Sequence, residues 1–406
     1  MSDFARGKVV EGGAELIGTN HPLWMYYWSQ FTLGMSPVND YKNAPIRIGG
    51  RTLTFDESQA LLDDMDRYLG ELNRLASTVK AFTPWTSRHA AKLDQMSLED
   101  WRQSRRCRTD AQQTACDAVV QQLVVDNGFE ARAQSLLGVL AMIKGHGGQR
   151  YWDDTEVYRC CGGNRQLALA FVRRLPKGSV RLQHVLTAIE QADSGVRISV
   201  KPARRKPRDL VFDDVIVTAP PTVWGRFQAK GEELRTLFGG APRLGANIKA
   251  LMRFDRRFWQ EFASSPTLTD DRGPVDLTWE TSEADDEPQF TLVAFSGANH
   301  ATTLTRARRP LALVRRQLET PYPGISKDMH AFTLMRWPDD PWSRGSYYFP
   351  KPGEVTRFGP IWHRGHRSVH LAGEHTCYAF MGYMEGALHS GYVAARRIAA
   401  RDGLLR

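Results

Sequence analysis

The sequence predicts a mixed α/β chain of two domains, each assembled from separate stretches. Three observations carry that prediction. A block at 54–143 reads as almost entirely helical. A glycine pair at 162–163 then opens a further helix, after which strands with period-two alternation take over. Near the end, an apolar strand at 368–372 feeds a helix through a loop, within LAGEHTCYAFMGYMEGALHSGYVAARR at 371–397.

In the helical block, Leu61, Leu62, Met65, Leu69, Leu72 and Leu75 share one helical face. Further helices are expected at 98–106, 110–124 and 130–143. DLVFDDVIVTAPP at 209–221 reads as a buried strand stopped by prolines. Between 244 and 335 the strands have antiparallel character and are interrupted by a basic amphipathic helix at 306–318. In the last segment Met384, Ala387, Leu388, Gly391, Ala395 and Ile398 recur at helical spacing.

At 406 residues the chain can bury an ample core without a disulfide or cofactor to hold it together. Its five cysteines form no C-x-x-C pair, which argues against a disulfide framework and against a zinc site. Vicinal Cys160 and Cys161 read as buried small residues. The amino terminus has no apolar core of signal-peptide length, and no run of about 18 apolar residues occurs, so a cytoplasmic protein without a membrane segment is expected. The formal charge of +9 comes largely from scattered arginine pairs. The one dense run, KPARRKPR at 201–208, carries two prolines between strand-like stretches and reads as a solvated hairpin loop. No nucleic-acid partner is expected.

The final helix presents its positive end to the loop at Gly382, and its first amides point outward without partners. Such an end favours a negative group. Gly382 and Gly386 let a flat ligand approach the backbone. An ordinary small-residue packing face accounts for Ala387, Ser390, Gly391 and Ala394, but less well for Glu374, Gly382 and Tyr383 together.

GE followed by GYMEGALHSG resembles the carboxyl-terminal flavin signature of the flavin-dependent amine oxidases, the monoamine oxidase group. Four further stretches resemble that family in the same chain order: VVEGGAELIG at 9–18, CCGGNRQLALAF at 160–171, LGANIKALMRFDRRFW at 244–259 and WPDDPWSRGSYYFPKPGE at 337–354. The resemblance covers nearly the whole chain. It implies a Rossmann-like FAD-binding domain from 1–34, 155–239 and 345–406, interleaved with a substrate-binding domain of mixed sheet and helices from 35–154 and 240–344.

The resemblance also implies roles. Glu374 matches the acid that hydrogen-bonds the ribityl or pyrophosphate region of FAD. The amides of Met384 and Glu385 would face the pyrimidine edge of the flavin, beside Gly382 and Ala387. Gly13 and Ala14 match the loop beside the isoalloxazine ring, and Val185 matches a position whose backbone pairs with adenine. Lys249 matches the lysine that holds a water against flavin N5. By alternation it shares a face with Leu251 and Arg253, which suits a pocket wall or a surface equally. Tyr347 and Tyr383 match the aromatic cage. Ser346 stands where some relatives attach flavin through cysteine, so FAD is expected to be noncovalent.

The opening strand, G-x-G-x-x-G and helix unit of the family pattern does not precede residue 9, which is expected to leave apolar sheet edges exposed. The implied function is FAD-dependent oxidation of an amine to an imine, with O2 reduced to H2O2 and a homodimer left open as the assembly. Amino-acid substrates, as for an L-amino acid oxidase or a tryptophan 2-monooxygenase, are the alternative. Those relatives tend to carry an arginine just after GGAEL, where this chain has GTNHP at 18–22. A noncatalytic remnant or binding subunit is the alternative of another class.

Overall fold

Thr54 opens the helical block with a capping box. In the computed structural model, which describes residues 4, 9–38, 44–240, 242–261, 265–281 and 289–405, the Thr54 hydroxyl accepts the Glu57 N–H and the Glu57 carboxylate accepts the Thr54 N–H. Two donors that a helix leaves unpaired at its start are thereby satisfied. The helix Phe55–Ser77 buries Leu61, Tyr68, Leu69 and Leu72 against Asp110–Asn127 and Leu136–Gly145. Leu136 to Ile143 are all buried, so that helix is the centre of the bundle.

Some boundaries differ from expectation for identifiable reasons. The helix expected at 130–143 starts only at Leu136, because the Ser135 hydroxyl accepts the Gly138 N–H as an N-cap. The helix expected at 306–318 starts only at Pro310, which cannot donate and suits a first turn, and a separate helix, Ala298–Arg306, ends where it was expected to begin. Two helices absent from the sequence expectations, Pro22–Phe31 and Glu354–Arg364, take their caps from far along the chain. The Glu385 carboxylate accepts the N–H groups of Leu23 and Trp24 at 3.0 and 2.8 Å. Asp94 accepts those of Val355 and Thr356 at 3.4 and 2.8 Å.

The largest sheet runs in the order Met329–Arg336, Asn247–Phe254, Phe290–Gly297, Leu277–Glu280, Leu268–Asp270, Ile46–Ile48, Arg51–Thr52. Asn247–Phe254 is antiparallel to both neighbours, with Lys249 opposite Phe295 and Met335. Ile248, Ala250, Met252 and Phe254 pack with Ala301, Leu304, Val314 and Leu318 on one face. Lys249 and Leu251 occupy the other, where Leu251 packs with Val10 and Trp279.

A second sheet orders Gln228–Lys230, His184–Gln191, Val196–Pro202 and Arg208–Phe212. Its last two strands are antiparallel, and the basic run at 201–208 turns between them, as expected of a hairpin loop. Leu16–Ile17, Tyr158–Cys160 and Met35–Pro37 form a third. Val369–Leu371 lies parallel to Val215–Val217, and among the described residues no strand pairs with its other edge. Exposed Val211, Phe212 and Ile216 leave apolar surface on these sheets.

Asp94, fully buried, joins three helices: besides the two N–H groups it accepts the hydroxyls of Ser135 and Thr356 at 2.7 and 2.6 Å. Asp94→Ala orphans these donors and should cost about 3 kcal/mol. Urea unfolding measures it, and a loss below about 0.5 kcal/mol would remove Asp94 as a structural node.

Candidate active site

The strand Val369–Leu371 leads through Gly373 into a loop anchored by Glu374. One Glu374 oxygen accepts the Tyr348 N–H at 3.0 Å and the other accepts the Gly382 N–H at 2.9 Å. Burial pushes this carboxyl up to about 7, against the downward pull of the Gly382 and Tyr348 N–H groups. Gly382 has φ +79°, and a Cβ there would lie 3.1 Å from the Tyr347 ring. A side chain at this position would be strained by the positive φ and would press on the ring, and Tyr347 sits directly beside the Gly382 to Tyr383 turn.

Tyr347 donates its hydroxyl to the carbonyl of Asp126. The ring of Tyr383 meets the rings of His146 and His21 at 4.7 and 5.3 Å. Tyr383 is also the N-cap residue of the helix Met384–Arg401 and offers it no side-chain cap. The N–H groups of Met384 and Glu385 thus lie in an uncapped first turn. The Glu385 side chain turns away to cap Pro22–Phe31.

Asp126, Tyr347, Glu374 and Tyr383 keep part of their surface open to solvent although the protein packs around them on every side. Glu156 is likewise open yet enclosed. Asp126, Glu156, Tyr347 and Tyr383 act electrostatically on one another across one shared part-open region, called the hollow below, with Tyr151 buried beside them. Burial, reinforced by Asp126 and Glu156, raises the phenols of Tyr151, Tyr347 and Tyr383 well above the usual range, so all three are neutral hydrogen-bonding groups. Burial raises Asp126 strongly, with Glu156 adding to it, and carries Glu156 to about 6 despite the opposing Lys249 charge.

Lys249 is 6% exposed, which rules out the surface alternative. Its Nζ lies 2.7 Å from a Glu15 oxygen, 3.5 Å from the Glu11 carbonyl and 5.1 Å above the centre of the Trp279 ring. Glu15 also accepts from Arg159 Nε at 2.7 Å and from Trp279 Nε1 at 3.2 Å. Burial alone would raise this carboxyl, but Lys249 and Arg159 together bring it down to about 2. The neighbouring glycine loop rests on Trp337, whose Nε1 donates to the Gly12 carbonyl at 2.8 Å, and a Cβ on Gly13 would lie 3.1 Å from that indole.

The structure therefore gathers Tyr347, Glu374, Gly382, Tyr383 and the amides of Met384 and Glu385 at one end of the hollow. The Glu156 carboxyl feels Lys249, and its charge acts on both tyrosines. Val185 stands apart on the second sheet, opposite Lys201. Ala387 is exposed on the final helix, and Ala14 is exposed with its carbonyl taken by Asn164. Asp126, Tyr151, Glu156 and Glu15 are candidate site residues that sequence reasoning missed. The available signal was an acid in an apolar run, as in LVVDNG at 123–128. The Ser346 hydroxyl is spent on the Gly245 carbonyl and Asn247 Oδ1, at 2.9 and 2.6 Å. Among the described residues no His, Cys, Asp and Glu group could hold a metal ion, all five thiols are free, and no helix is long and apolar enough to cross a membrane.

The family model described as flavin containing amine oxidoreductase matches residues 1–399. Flavin-containing amine oxidase A of Equus caballus is 25% identical over 346 residues, covering 80% of this chain and 62% of that protein. The chain thus spans less than two thirds of that relative's length. Flavin-containing amine oxidase B of Sus scrofa is 23% identical over 414 residues, covering 96% of this chain and 77% of that one. Among solved structures, wild-type putrescine oxidase bound to putrescine has the same fold, with TM-score 0.82 at 20% identity over 98% of this chain and 90% of that one. So has cyclohexylamine oxidase from Brevibacterium oxydans IH-35A, with TM-score 0.82 at 19% identity over 97% and 88%. A family match along nearly the whole sequence, on a fold that these structures share, places the chain among the flavin-containing amine oxidoreductases, whose cofactor is FAD.

Proposed function

We propose that this chain oxidises a primary or secondary amine in the hollow framed by Tyr347 and Tyr383, with FAD bound noncovalently. The observation that carries the reading is the placement of two carboxyl groups, Asp126 and Glu156, among neutral phenols, with Glu156 also feeling the Lys249 charge. Aromatic faces with one ionised carboxylate, Glu156, suit a cationic amine entering from water. The same reading assigns 1–34, 155–239 and 345–406 to the cofactor and 35–154 and 240–344 to the substrate side.

The residues present fit the flavin end of the cofactor. The uncapped start of Met384–Arg401 favours an anionic ring edge by about 1 kcal/mol. Gly382 brings backbone to the hollow where a side chain would crowd the Tyr347 ring. Lys249 adds a fixed positive donor. With both its oxygens on backbone N–H groups, Glu374 primarily holds the loop, and its remaining lone pairs are the ones a sugar hydroxyl would use. Ser346 offers no thiol, in keeping with noncovalent binding.

Bound FAD supplies the redox chemistry, taking two electrons from the amine and delivering them to O2 as hydrogen peroxide, while the resulting imine hydrolyses in water. The chain's own residues bind and orient. Tyr347 and Tyr383 present apolar ring faces that hold the substrate carbon skeleton. Glu156, ionised above about pH 6, draws the ammonium inward. Lys249 directs an N–H toward the hollow. An amino acid would bring its carboxylate against the Glu156 charge, and Arg159 is turned onto Glu15 and the Glu280 carbonyl. This favours amines over the amino-acid alternative.

Three outcomes are expected. Purified with FAD, the protein should be yellow and release peroxide from an aromatic or alkyl amine but not from the matching amino acid; a colourless, inert protein would favour the noncatalytic alternative. Lys249→Met should slow flavin reduction or reoxidation by about tenfold or more with the flavin still bound, as stopped-flow absorbance would show. Amine affinity should weaken as pH falls through about 6, because Glu156 loses its charge there. Glu156→Gln should flatten that dependence, and a wild-type profile in the variant would remove Glu156 from the site.

A further inference from the structure

We propose that Glu15 is a positioning residue that fixes the direction of the Lys249 ammonium, so that one of its N–H groups faces the hollow. The inference rests on the reading above, in which Lys249 serves the bound cofactor.

An ammonium on a four-carbon stem is a rotating point charge, and its direction must be imposed from outside. Lys249 has three N–H donors. The Glu15 carboxylate takes one at 2.7 Å and the Glu11 carbonyl lies at 3.5 Å for a second. The Trp279 ring, centred 5.1 Å away, bounds the ammonium on another side. One donor is left, and its direction follows from the other two.

Glu15 is itself immobile. Its side chain is 2% exposed, and it accepts donors from three separate strands: Arg159 on Tyr158–Cys160, Lys249 on Asn247–Phe254 and Trp279 on Leu277–Glu280. Arg159 is held in turn by the Glu280 carbonyl at 2.7 Å. A buried ion pair serving only to fill space could be replaced by apolar groups at little cost. An apolar pair could not supply a directed N–H.

The test compares Glu15→Gln, Glu15→Asp, Lys249→Met and the double variant Glu15→Gln with Lys249→Met. One readout needs no flavin: the rate at which acetic anhydride acylates Lys249 in the FAD-free protein, followed by mass spectrometry. Without its counter-charge the buried ammonium favours the neutral, nucleophilic amine, so Glu15→Gln should raise that rate by about tenfold, and Glu15→Asp should return it toward wild type. In the FAD-loaded protein, flavin reoxidation in Glu15→Gln should fall to the Lys249→Met level, and the double variant should fall no further. Unchanged acylation in Glu15→Gln, or losses that add in the double variant, would overturn the proposal. If Lys249→Met reoxidises like wild type while Glu15→Gln still unmasks Lys249, then Glu15 does hold Lys249 and it is the cofactor role of Lys249 that fails.

Discussion

The carboxylate of Glu374 holds Tyr348 with one oxygen and Gly382 with the other, and the mutual placing of the site tyrosines follows from those two bonds. Tyr347 precedes the first anchor and Tyr383 follows the second. Residues on two separate stretches of chain are thereby clamped across one buried side chain. The close approach this forces is what favours a glycine at 382, where the backbone takes a positive φ against the Tyr347 ring.

Buried carboxylates bridge distant chain elsewhere too. Glu385 caps Pro22–Phe31, Asp94 caps Glu354–Arg364, and Glu15 gathers Lys249, Arg159 and Trp279. In each case a charge removed from water is repaid by several donors, the condition under which burial of a charge is tolerable. The proton balance differs with the donors. Glu15, paired with two cations, stays ionised to about pH 2, and its contribution to stability, fully present above 4.5, is lost as pH falls from there through about 2. Glu374 and Glu385 meet only neutral N–H groups and rise to about 7, so their contribution is full below 4.5 and declines as pH rises through 7. Buried His21, His146 and His375, held neutral down to about 3 to 4, act in the opposite sense: their contribution is present above 6.5 and is lost as pH falls.

Much of the architecture was legible because it is local. The Phe55–Ser77 helix announces itself by its leucine stripe, the 201–208 hairpin by its prolines, and the final strand, loop and helix by composition alone. The flavin-family resemblance in GYMEGALHSG was legible for the same reason, since a helix start and its glycines lie within one short window. Pro22–Phe31 and Glu354–Arg364 were not legible. Their caps come from residues 361 and 262 positions away, which no local pattern reports. Asp126 and Glu156 were missed on the same ground: each is an ordinary acid in sequence and becomes a candidate site residue only beside the tyrosines that the fold brings to it.

Lys249 marks the division most clearly. Alternation along IKALMRF determined which residues share its face, because a strand projects side chains with period two whatever surrounds it. Whether that face met water or protein depended on which strands flanked it and what packed above. The tertiary structure decided this by placing Asn247–Phe254 in mid-sheet and bringing Glu15, Arg159 and Trp279 over the lysine. The sequence by itself determined the helices, the strand faces and the family signature, whose causes lie within a few residues. Tertiary structure alone decided burial, ion pairing and the company that Asp126 and Glu156 keep, since these depend on groups that meet only when the chain is folded.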